Sequence, residues 1–383
     1  MLEKIRRIDW SVIVILLLFM VISTLLVHSA IQSDPVKFAG YDKKNLVFYG
    51  IGFIAMLTAA FFNYRWLIKG AVYLYLIGVA LLALVLEFGI TVNGATGWFE
   101  LPVGGLTFQP AELMKLLLIL MMAYFMSRRK GEPLRIVKDI VPLGQIVMVP
   151  FVLVMMQPDL GNAIIYLAIF FGMLWIGNLR YIHALIGLAV MFGALAGFYY
   201  TWQTYHDPIV EFLDEHDKGH WADRIDAYLN PELVDADTIY QARNSRIAIG
   251  SGGLSGEGYM QGEFVQNGWV PLTYSDSIFI VIGEEFGFIG ASFLLLLYFL
   301  LIYRLIWISI QCDELSGSYI AVGIVSMFVF QIFQNIGMSI GIMPLTGITL
   351  PFVSYGGTSL LINMTCIGIV LSTRIYQKKP AEL

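Results

Sequence analysis

The sequence predicts an all-α integral membrane protein with ten transmembrane helices and a large extracellular loop between helices 7 and 8. Three observations lead to this class. Of the 383 residues, 58% are hydrophobic and 13% are charged, whereas soluble domains carry about 25% charged residues. Ten apolar stretches reach or approach the roughly 20 residues that a helix needs to cross the hydrocarbon core. One long polar segment, 203–276, separates the first seven stretches from the last three.

Charged residues, Pro and Gly bound the spans, because they break an apolar helical pattern. The first span follows a basic N-terminus, as the core of a secretory signal does. Its apolar core is longer than the roughly 7–15 residues of a signal, and no A-x-A cleavage site follows, so we expect a retained helix. A polar hairpin at 157–161 separates the fifth and sixth spans. The predicted spans are 10–30, 45–63, 70–90, 110–127, 139–157, 161–178, 181–202, 277–305, 317–340 and 355–376.

The distribution of Lys and Arg predicts the orientation. Short connections on one side of the membrane contain fifteen of these residues, against only Lys37, Lys43 and Lys44 on the other. Because cytoplasmic loops carry the excess of positive charge, both termini should be cytoplasmic. We expect one polytopic membrane domain over 1–383. Its outward-facing parts are the loops 93–109, 157–161 and 343–355 and the extracellular lobe 203–276.

The lobe is acidic, with thirteen Asp and Glu against four Lys and Arg. His216 and His220 have i,i+4 spacing within it, but without H-E-x-x-H or further ligands a solvated loop is favoured over a metal site. A glycine cluster follows at 250–258. Such a cluster can turn backbone amides toward an anion, although a flexible loop is its more common role.

Asp276 ends the lobe directly before an apolar helix and has two interpretations. Asp is a favoured N-cap residue, so a carboxylate at this place commonly binds only the first amides of the helix. It can also act as a base. A helix N-terminus lowers the pKa of a carboxylate whereas a partly dry interface raises it, and the sequence does not decide between them.

Glu284 and Glu285 interrupt the eighth predicted span. An acidic residue within a span normally faces a cavity or a partner, because exposing it to lipid is costly. Glu284 lies eight residues after Asp276, so the two should project to similar faces and Glu284 should support the site. Pairing with Arg or Lys is the structural alternative.

Glu112 and Lys115 begin the fourth span three residues apart, which places them side by side on a helix. They can form a self-neutralising pair at the membrane surface. Alternatively, Lys115 holds a phosphate and Glu112 orients it.

Several function classes have no support in the sequence. The two cysteines, Cys312 and Cys366, have no ligand-like spacing, so neither a disulfide framework nor a zinc site is indicated. The chain has no Gly-Lys pair and therefore no P-loop, so no nucleotide is expected. Basic, aromatic-rich patches of the kind that bind nucleic acid are also missing from the sequence.

Five groups of residues carry a resemblance to a known family. They are FQPAELMK at 108–115, QPDLG at 157–161, IAIGSGG at 247–253, Asp276 with GEEFG at 283–287, and NIGM at 335–338 continuing through PLTG at 344–347 to PFVSYGG at 351–357. In this order and nearly end to end, the chain resembles the SEDS family (shape, elongation, division and sporulation). The residues at 333–344 look more like the elongation branch, RodA, than the division branch, FtsW.

The resemblance implies a peptidoglycan glycosyltransferase that polymerises lipid II on the outer face of the bacterial cytoplasmic membrane. Asp276 matches the essential acidic residue of the family, and we expect it to deprotonate the acceptor's 4-hydroxyl, with inversion at the donor's anomeric carbon. Other matching positions are Glu112, Lys115, Asp159 and the turn Ser354, Tyr355 and Gly356.

The departing pyrophosphate requires positive charge. The candidates are Lys115 and, from charge and position alone, Arg243 or Arg246. A divalent cation, Mg or Mn, held by Asp159 or Glu112 is a further candidate.

The chain departs from the family pattern in three places. The run 93–98 lacks the basic residue that often precedes its Trp, Ala111 stands where Ser is usual, and Ser277 follows Asp276 where Phe is common. These departures leave the role of the 93–98 loop open.

Two other functions remain to be distinguished. A lipid II flippase would use Glu112, Lys115, Glu284 and Glu285 as a polar track across the bilayer. A non-catalytic scaffold of the cell-wall synthesis complex would tolerate every carboxylate substitution. The resemblance also implies partners: a class B penicillin-binding protein whose spanning helix docks on the eighth or ninth helix, and other membrane proteins of the elongation complex.

Overall fold

The computed structural model of the chain describes residues 2–92, 95–100, 107–179, 181–215, 219, 222, 225–226, 229–230, 233 and 236–377. Helices account for most of these residues. The long apolar helices are Trp10–Ala30, Tyr41–Phe61, Ala71–Phe88, Pro110–Ser127, Val141–Met155, Leu160–Ile176, Tyr181–Thr204, Ile278–Ile310, Leu315–Ser339 and Gly357–Ile375. The shorter or more polar helices are Leu2–Arg6, Tyr64–Lys69, His206–Glu215, Ala236–Ser251 and Glu263–Gln266.

Each predicted span coincides with one of the long apolar helices. Within the described part of the chain, nine helices are long and apolar enough to cross a membrane, and Leu160–Ile176 is apolar but has only 17 residues. An all-α multi-pass membrane protein is therefore confirmed, whereas the count of ten spans stays a prediction. The polar hairpin expected at 157–161 does connect two adjacent antiparallel helices.

Pro110–Ser127 is the central helix. Most of its side chains are buried, and it packs against Ala71–Phe88, Leu160–Ile176, Leu315–Ser339 and Gly357–Ile375. Gly357–Ile375 packs closely against Tyr41–Phe61, because Gly368 lets the two backbones meet. A Cβ at Gly368 would lie 2.3 Å from the carbonyl oxygen of Met56. Small residues allow this kind of packing in membranes, where helices gain little from the hydrophobic effect.

The bundle has two chemically different ends. We call the first the basic face, where Trp10–Ala30 begins and Gly357–Ile375 ends. Asp9 is buried there and accepts hydrogen bonds from Arg304 and Arg374. We call the opposite end the cavity face. It carries the connections 31–40, 156–159, 252–277 and 340–356 and the described parts of the loop before the central helix, 89–92, 95–100 and 107–109.

Ile278–Ile310 is broken at Gly287, whose backbone has φ 60° and ψ −158°. The glycine segment 252–258 fills the break: Glu257 and Gly258 donate their amides to the carbonyl oxygens of Glu284 (2.9 Å) and Glu285 (3.1 Å). In return, the amides of Phe288 and Ile289 reach the carbonyl oxygens of residues 253 (3.0 Å) and 254 (3.1 Å). A broken helix in a membrane requires such replacement partners.

The glycine segment is thus neither a free loop nor an anion site, and both sequence interpretations of it were wrong. The amides of Glu257 and Gly258 already bind carbonyl groups of the broken helix, and those of Gly253 and Gly256 bind the carbonyl oxygens of residues 250 and 252. Two of its glycines are required by the close approach, since a Cβ at Gly252 or Gly256 would lie 2.1 Å from a carbonyl oxygen of Ile278–Ile310.

A small antiparallel sheet, not expected from the sequence, lies in the loop before the central helix. Its strands are Ile90–Val92, Ala95–Glu100 and Thr107–Phe108, in that order across the sheet. The carbonyl oxygen of Thr107 accepts a hydrogen bond from the Thr358 hydroxyl (2.9 Å), which joins the sheet to the last helix.

Candidate active site

A cavity of about 640 Å³ opens on the cavity face. Segments that are far apart in the sequence enclose it, from the start of the second long helix to the start of the last. The lining residues are Tyr41, Ala95, Trp98, Thr107, Gln109, Glu112, Pro158, Asp159, Leu160, Asn162, Gln241, Leu272, Tyr274, Ser275, Asp276, 345–349 and 355–359. Three carboxylates, Glu112, Asp159 and Asp276, therefore face one space.

Asp276 lies just before Ile278–Ile310 but does not cap it. Ser277 is the N-cap residue, and no side-chain hydrogen bond caps the helix. The Oδ1 atom of Asp276 is buried and has no hydrogen-bond partner in the described structure. Asp276 is therefore not the N-cap residue of this helix, and it lines the cavity with one carboxylate oxygen buried and unpartnered.

The surroundings of Asp276 make its carboxylate more basic. Burial raises the pKa of Asp276 to about 6, and the nearby backbone amides of Asp276 and Ser277 offset this only in part. Desolvation disfavours the charged form of a carboxyl group, which explains the direction. A group with this pKa is mostly ionised at neutral pH and still takes up a proton readily.

Asn335 holds the backbone around Asp276, a role that the sequence did not reveal. Its Nδ2 donates to the carbonyl oxygen of Asp276 (2.7 Å) and to that of Ile348 (2.7 Å), and the side chain is fully buried. The amide therefore ties the connection before Ile278–Ile310 to the 345–349 wall of the cavity. Asn335 lies in the NIGM run, but only three-dimensional contact shows what it binds.

Glu112 and Lys115 form an ion pair, with 2.7 Å between Lys115 Nζ and Glu112 Oε2. Glu112 lines the cavity, whereas Lys115 is fully buried behind it. The expectation that Lys115 itself holds a phosphate is not supported by this placement. Lys115 acts on the cavity through Glu112, whose charge it offsets.

Asp159 lines the cavity as the N-cap of Leu160–Ile176. Its carboxylate accepts from Asn162 N (3.0 Å), Asn162 Nδ2 (2.8 Å) and Gln109 Nε2 (2.9 Å). These bonds position it and occupy most of its acceptor capacity.

The metal expected at Asp159 or Glu112 does not fit these two side chains. Asp159 is bound by amide donors and Glu112 by an ammonium group. Among the described residues, no group of three or more His, Cys, Asp or Glu side chains could hold a metal ion.

Arg243 and Arg246, the other candidates for pyrophosphate, are exposed on Ala236–Ser251 and do not line the cavity. Arg246 Nε instead donates to the carbonyl oxygen of Ala242 (3.3 Å). The same helix reaches the cavity through Gln241, which donates to the Ser277 hydroxyl (3.4 Å). The assignment from charge and position alone therefore selected the wrong face of this helix.

The turn 354–356 contributes in two ways. Ser354 is buried and its hydroxyl accepts from the amide of Leu350 (2.8 Å), so it holds the turn. Tyr355 and Gly356 line the cavity. The Tyr355 ring is stacked on that of Tyr41, with centroids 4.7 Å apart, and the Tyr355 amide donates to the carbonyl oxygen of Tyr274 (2.9 Å).

Glu284 and Glu285 do not line the cavity, and the expectation that Glu284 shares a face with Asp276 was wrong. Asp276 precedes the helix instead of belonging to it. Glu284 accepts from the amides of Phe264 (2.6 Å) and Val265 (3.0 Å), and Glu285 accepts from the Ser29 hydroxyl and Gln266 Nε2. Both carboxylates hold the end of the lobe against the broken helix, with backbone amides and neutral side chains as partners.

Some sequence expectations lie outside the described residues. They concern His216, His220, Asn93 and Gly94. Trp98 from the 93–98 run is described and lines the cavity.

The fold and the site together define a polytopic helical membrane protein with a carboxylate-lined cavity at the face opposite its basic end. The sequence matches, over residues 6–379, the family model FtsW/RodA/SpoVE, described as cell cycle protein. The chain belongs to this family, which is the SEDS family indicated by the sequence.

Known relatives match over nearly their full length. Stage V sporulation protein E of Bacillus subtilis is 34% identical, over 97% of this chain and 98% of that protein. Peptidoglycan glycosyltransferase MrdB of Escherichia coli is also 34% identical, over 97% of this chain and 95% of that protein. A chain from a solved peptidoglycan synthase complex, described as coordinating polymerization and crosslinking, aligns with a TM-score of 0.78 at 29% identity, over 97% of this chain and 99% of that one.

Proposed function

We propose that this protein is a peptidoglycan glycosyltransferase that polymerises lipid II into glycan strands on the outer face of the cytoplasmic membrane. The observation that carries the proposal is the carboxylate of Asp276 at the wall of a cavity on the cavity face, with a raised pKa and with Oδ1 lacking a hydrogen-bond partner among the described residues. Relatives that carry the glycosyltransferase name match end to end. The elongation role rests on the 333–344 run, since a sporulation protein and MrdB match equally well.

The geometry supports one chemical scheme. The Asp276 carboxylate accepts the proton of the acceptor's 4-hydroxyl while the hydroxyl oxygen forms a bond to the donor's anomeric carbon. The bond from this carbon to the diphosphate breaks, and the lipid diphosphate leaves with the electron pair. Attack opposite to the leaving group inverts the anomeric carbon. Asn335 fixes the position of the base through the Asp276 carbonyl oxygen. The positive charge of Lys115 offsets the negative charge of Glu112 and so weakens the repulsion between Glu112 and the diphosphate.

The central test is polymerisation of purified lipid II by the Asp276→Asn protein. We expect a loss of at least about 100-fold in rate, because a positioned general base contributes roughly 10²–10⁴-fold. Asp313→Asn, an exposed carboxylate on the basic face, is the matched control and should polymerise like the wild type. An Asp276→Asn protein that keeps most of its activity would exclude Asp276 as the base.

A divalent cation remains part of the proposal, but as a component of the substrate. Mg or Mn bound to the diphosphate would supply positive charge without requiring ligands from Asp159 or Glu112. Polymerisation should then fall when a chelator is added and return with excess Mg or Mn. Unchanged polymerisation after complete chelation would remove the cation from the scheme.

The flippase alternative loses its structural basis. Glu112 and Lys115 neutralise each other at the cavity face, and Glu284 and Glu285 are engaged by the lobe. These four residues therefore do not form a track across the bundle. Transbilayer movement of labelled lipid II in vesicles without polymer formation would restore this alternative, and tolerance of all carboxylate substitutions would favour a scaffold.

The proposed orientation places both termini and the basic face in the cytoplasm, in accord with the excess of positive charge there. The proposed partner is a class B penicillin-binding protein that crosslinks the glycan, together with other elongation-complex membrane proteins. Phe299, Tyr303 and Trp307 form an exposed stacked row on Ile278–Ile310, with centroids 6.4 Å apart. We propose this row as the surface for the partner's spanning helix, and substituting the three by Leu should weaken co-purification of that partner.

A further inference from the structure

The charge of the cavity is opposite to what its proposed substrate requires. Three lining residues are carboxylates, and none of the described lining residues is Lys or Arg. A diphosphate leaving group needs positive charge near the reacting atoms. The candidates from the sequence do not supply it there, because Lys115 is sealed behind Glu112 and the two arginines point elsewhere. A cationic side chain that binds the diphosphate, alongside any Mg or Mn that the substrate carries, would therefore lie at the rim of the cavity.

The rim does carry cations at the start of Tyr41–Phe61. Tyr41 lines the cavity, and Lys44 Nζ lies 5.7 Å from the centre of its ring. Lys37 Nζ lies 5.4 Å from the centre of the Phe38 ring on the same connection. Both lysines are exposed, and in the described part of the chain neither is within 4.0 Å of a carboxylate oxygen. Their ammonium groups are therefore available to an external anion.

Aromatic contacts hold the segment that carries these lysines against the cavity. Tyr41 is stacked on Tyr355, and Phe38 lies 4.7 Å from Tyr274, both of which are lining residues. The backbone of the lysine-bearing segment is thereby held at the edge of the site. An exposed apolar stripe continues along the helix from Lys44, with Val47 and Ile51 three and seven residues further on.

We propose that Lys44, assisted by Lys37, binds the diphosphate of the lipid-linked donor at the rim of the cavity. The sugar then extends into the cavity toward Asp276, and the polyprenyl chain lies along the stripe of Val47 and Ile51. Lys is a compact cation that suits a phosphate oxygen. The proposal rests on the proposed function, because it assigns the anionic part of that substrate.

Lys43 provides a matched control within the same helical turn. It has the same charge and is also exposed, but in the described structure its ammonium group lies over no aromatic ring of the cavity rim. Removing either lysine changes the net charge of this face equally. A larger effect of removing Lys44 than of removing Lys43 therefore indicates a specific binding site. Equal effects indicate a general attraction of anions to this surface.

The first experiment measures KM and kcat of lipid II polymerisation by the full-length protein. Lys44→Gln should raise KM roughly five- to tenfold, which corresponds to the loss of one charge-assisted contact. Lys43→Gln should change KM less than about twofold, and Lys44→Arg should restore most of the affinity because it keeps the charge. Equal effects at 43 and 44, or no effect at 44, would overturn the proposal.

A second measurement separates this proposal from the proposed function. Binding of farnesyl diphosphate to the detergent-solubilised protein needs no catalysis, so it can be measured with Asp276→Asn as well. We expect Lys44→Gln to weaken binding at least about fivefold in either background, and excess phosphatidylglycerol not to displace the probe. Displacement by phosphatidylglycerol would identify a general anionic-lipid site instead. Equal binding of farnesyl diphosphate by the Lys44→Gln protein and the protein with Lys44 intact would refute the assignment.

Discussion

Asp276 shows how contacts distinguish a helix cap from a proposed general base. Its position was predicted from charge, since it is the last carboxylate of a polar segment before an apolar helix. The chemical role of Asp276 was not predicted, because an Asp before an apolar helix looks the same in the sequence whether it caps the helix or acts as a base. The difference lies in contacts: Ser277 takes the N-cap position, and Oδ1 of Asp276 is left buried without a partner.

The pH dependence of polymerisation follows from the pKa of Asp276. Because the base must be ionised, kcat/KM should rise with pH and reach half its maximum at about pH 6. Below about pH 5 it should fall about tenfold for each pH unit. A profile that stays flat between about pH 5 and pH 7 would contradict this assignment.

The same ionisation changes stability in the opposite direction. The folded protein holds the proton more tightly than an ordinary Asp with pKa 3.8, so the contribution of this group to folding is greatest below that value. It is lost as the pH rises through about 6. Asp276→Asn should therefore unfold at a higher temperature than the wild type at about pH 8, and this gain should disappear at about pH 4.

The basic residues show why the sequence could not predict which cations face the cavity. A sequence reports that Lys115, Arg243 and Arg246 are charged and near the right helices, but not in which direction each side chain points. Lys115 turned out to be buried, and Gln241 rather than Arg243 faces the cavity. Glu112, Asp159, Tyr355 and Gly356 do line one cavity, because they come from turns and helix ends on one face.

At the scale of helices, apolar length was a sufficient signal for the spans. A membrane forces backbone groups to be satisfied within each helix, so long apolar runs have few alternatives. The break at Gly287 was not predictable, because it depends on the segment 252–258, whose amides replace the missing partners. The strand Ala95–Glu100 was missed for a similar reason, since three short strands support one another only after the chain has folded.

The docked glycine segment gives a prediction with an internal control. Gly256 has φ 81°, and a Cβ there would lie 2.1 Å from the carbonyl oxygen of Glu285. Gly256→Ala should therefore lower the free energy of unfolding by at least about 2 kcal/mol, which a thermal melt would detect. It should also reduce polymerisation, because this segment begins the connection 252–277 that carries Asp276.

Gly250 is the comparison. It lies in Ala236–Ser251 with no atom within 4 Å of its Cβ position. Gly250→Ala should stay within about 1 kcal/mol of the wild type. Similar melting temperatures for the two variants would show that the segment is not held against the helix as described.

At the scale of the whole molecule, different interactions stabilise the two ends of the bundle. The basic face is held by ion pairs and hydrogen bonds between distant parts of the chain, such as Asp9 with Arg304 and Arg374, and Arg65 with Glu314. The cavity face is held mainly by amide side chains and aromatic rings. The excess of Lys and Arg predicted this division, but not that several of the basic groups also connect helices.

Asp9→Asn tests whether the two ends are separable. The amide keeps the N-cap of Trp10–Ala30 but removes the charge that faces two guanidinium groups, which are themselves part-exposed. We expect a loss of about 1–3 kcal/mol in stability and a lower Tm, with KM for lipid II unchanged within about twofold. A large rise in KM without a change in Tm would show instead that the ends are coupled.

The lining of the cavity also bears on biosynthesis. Its walls use residues from Tyr41 to Ser359, so nearly the whole chain must be inserted before they can meet. Asn335, which joins the base to the 345–349 wall, is made late during translation. A fragment that stops before the final helix lacks the part of the wall at 357–359, so we expect a nascent protein on the ribosome not to consume precursor before this helix is inserted.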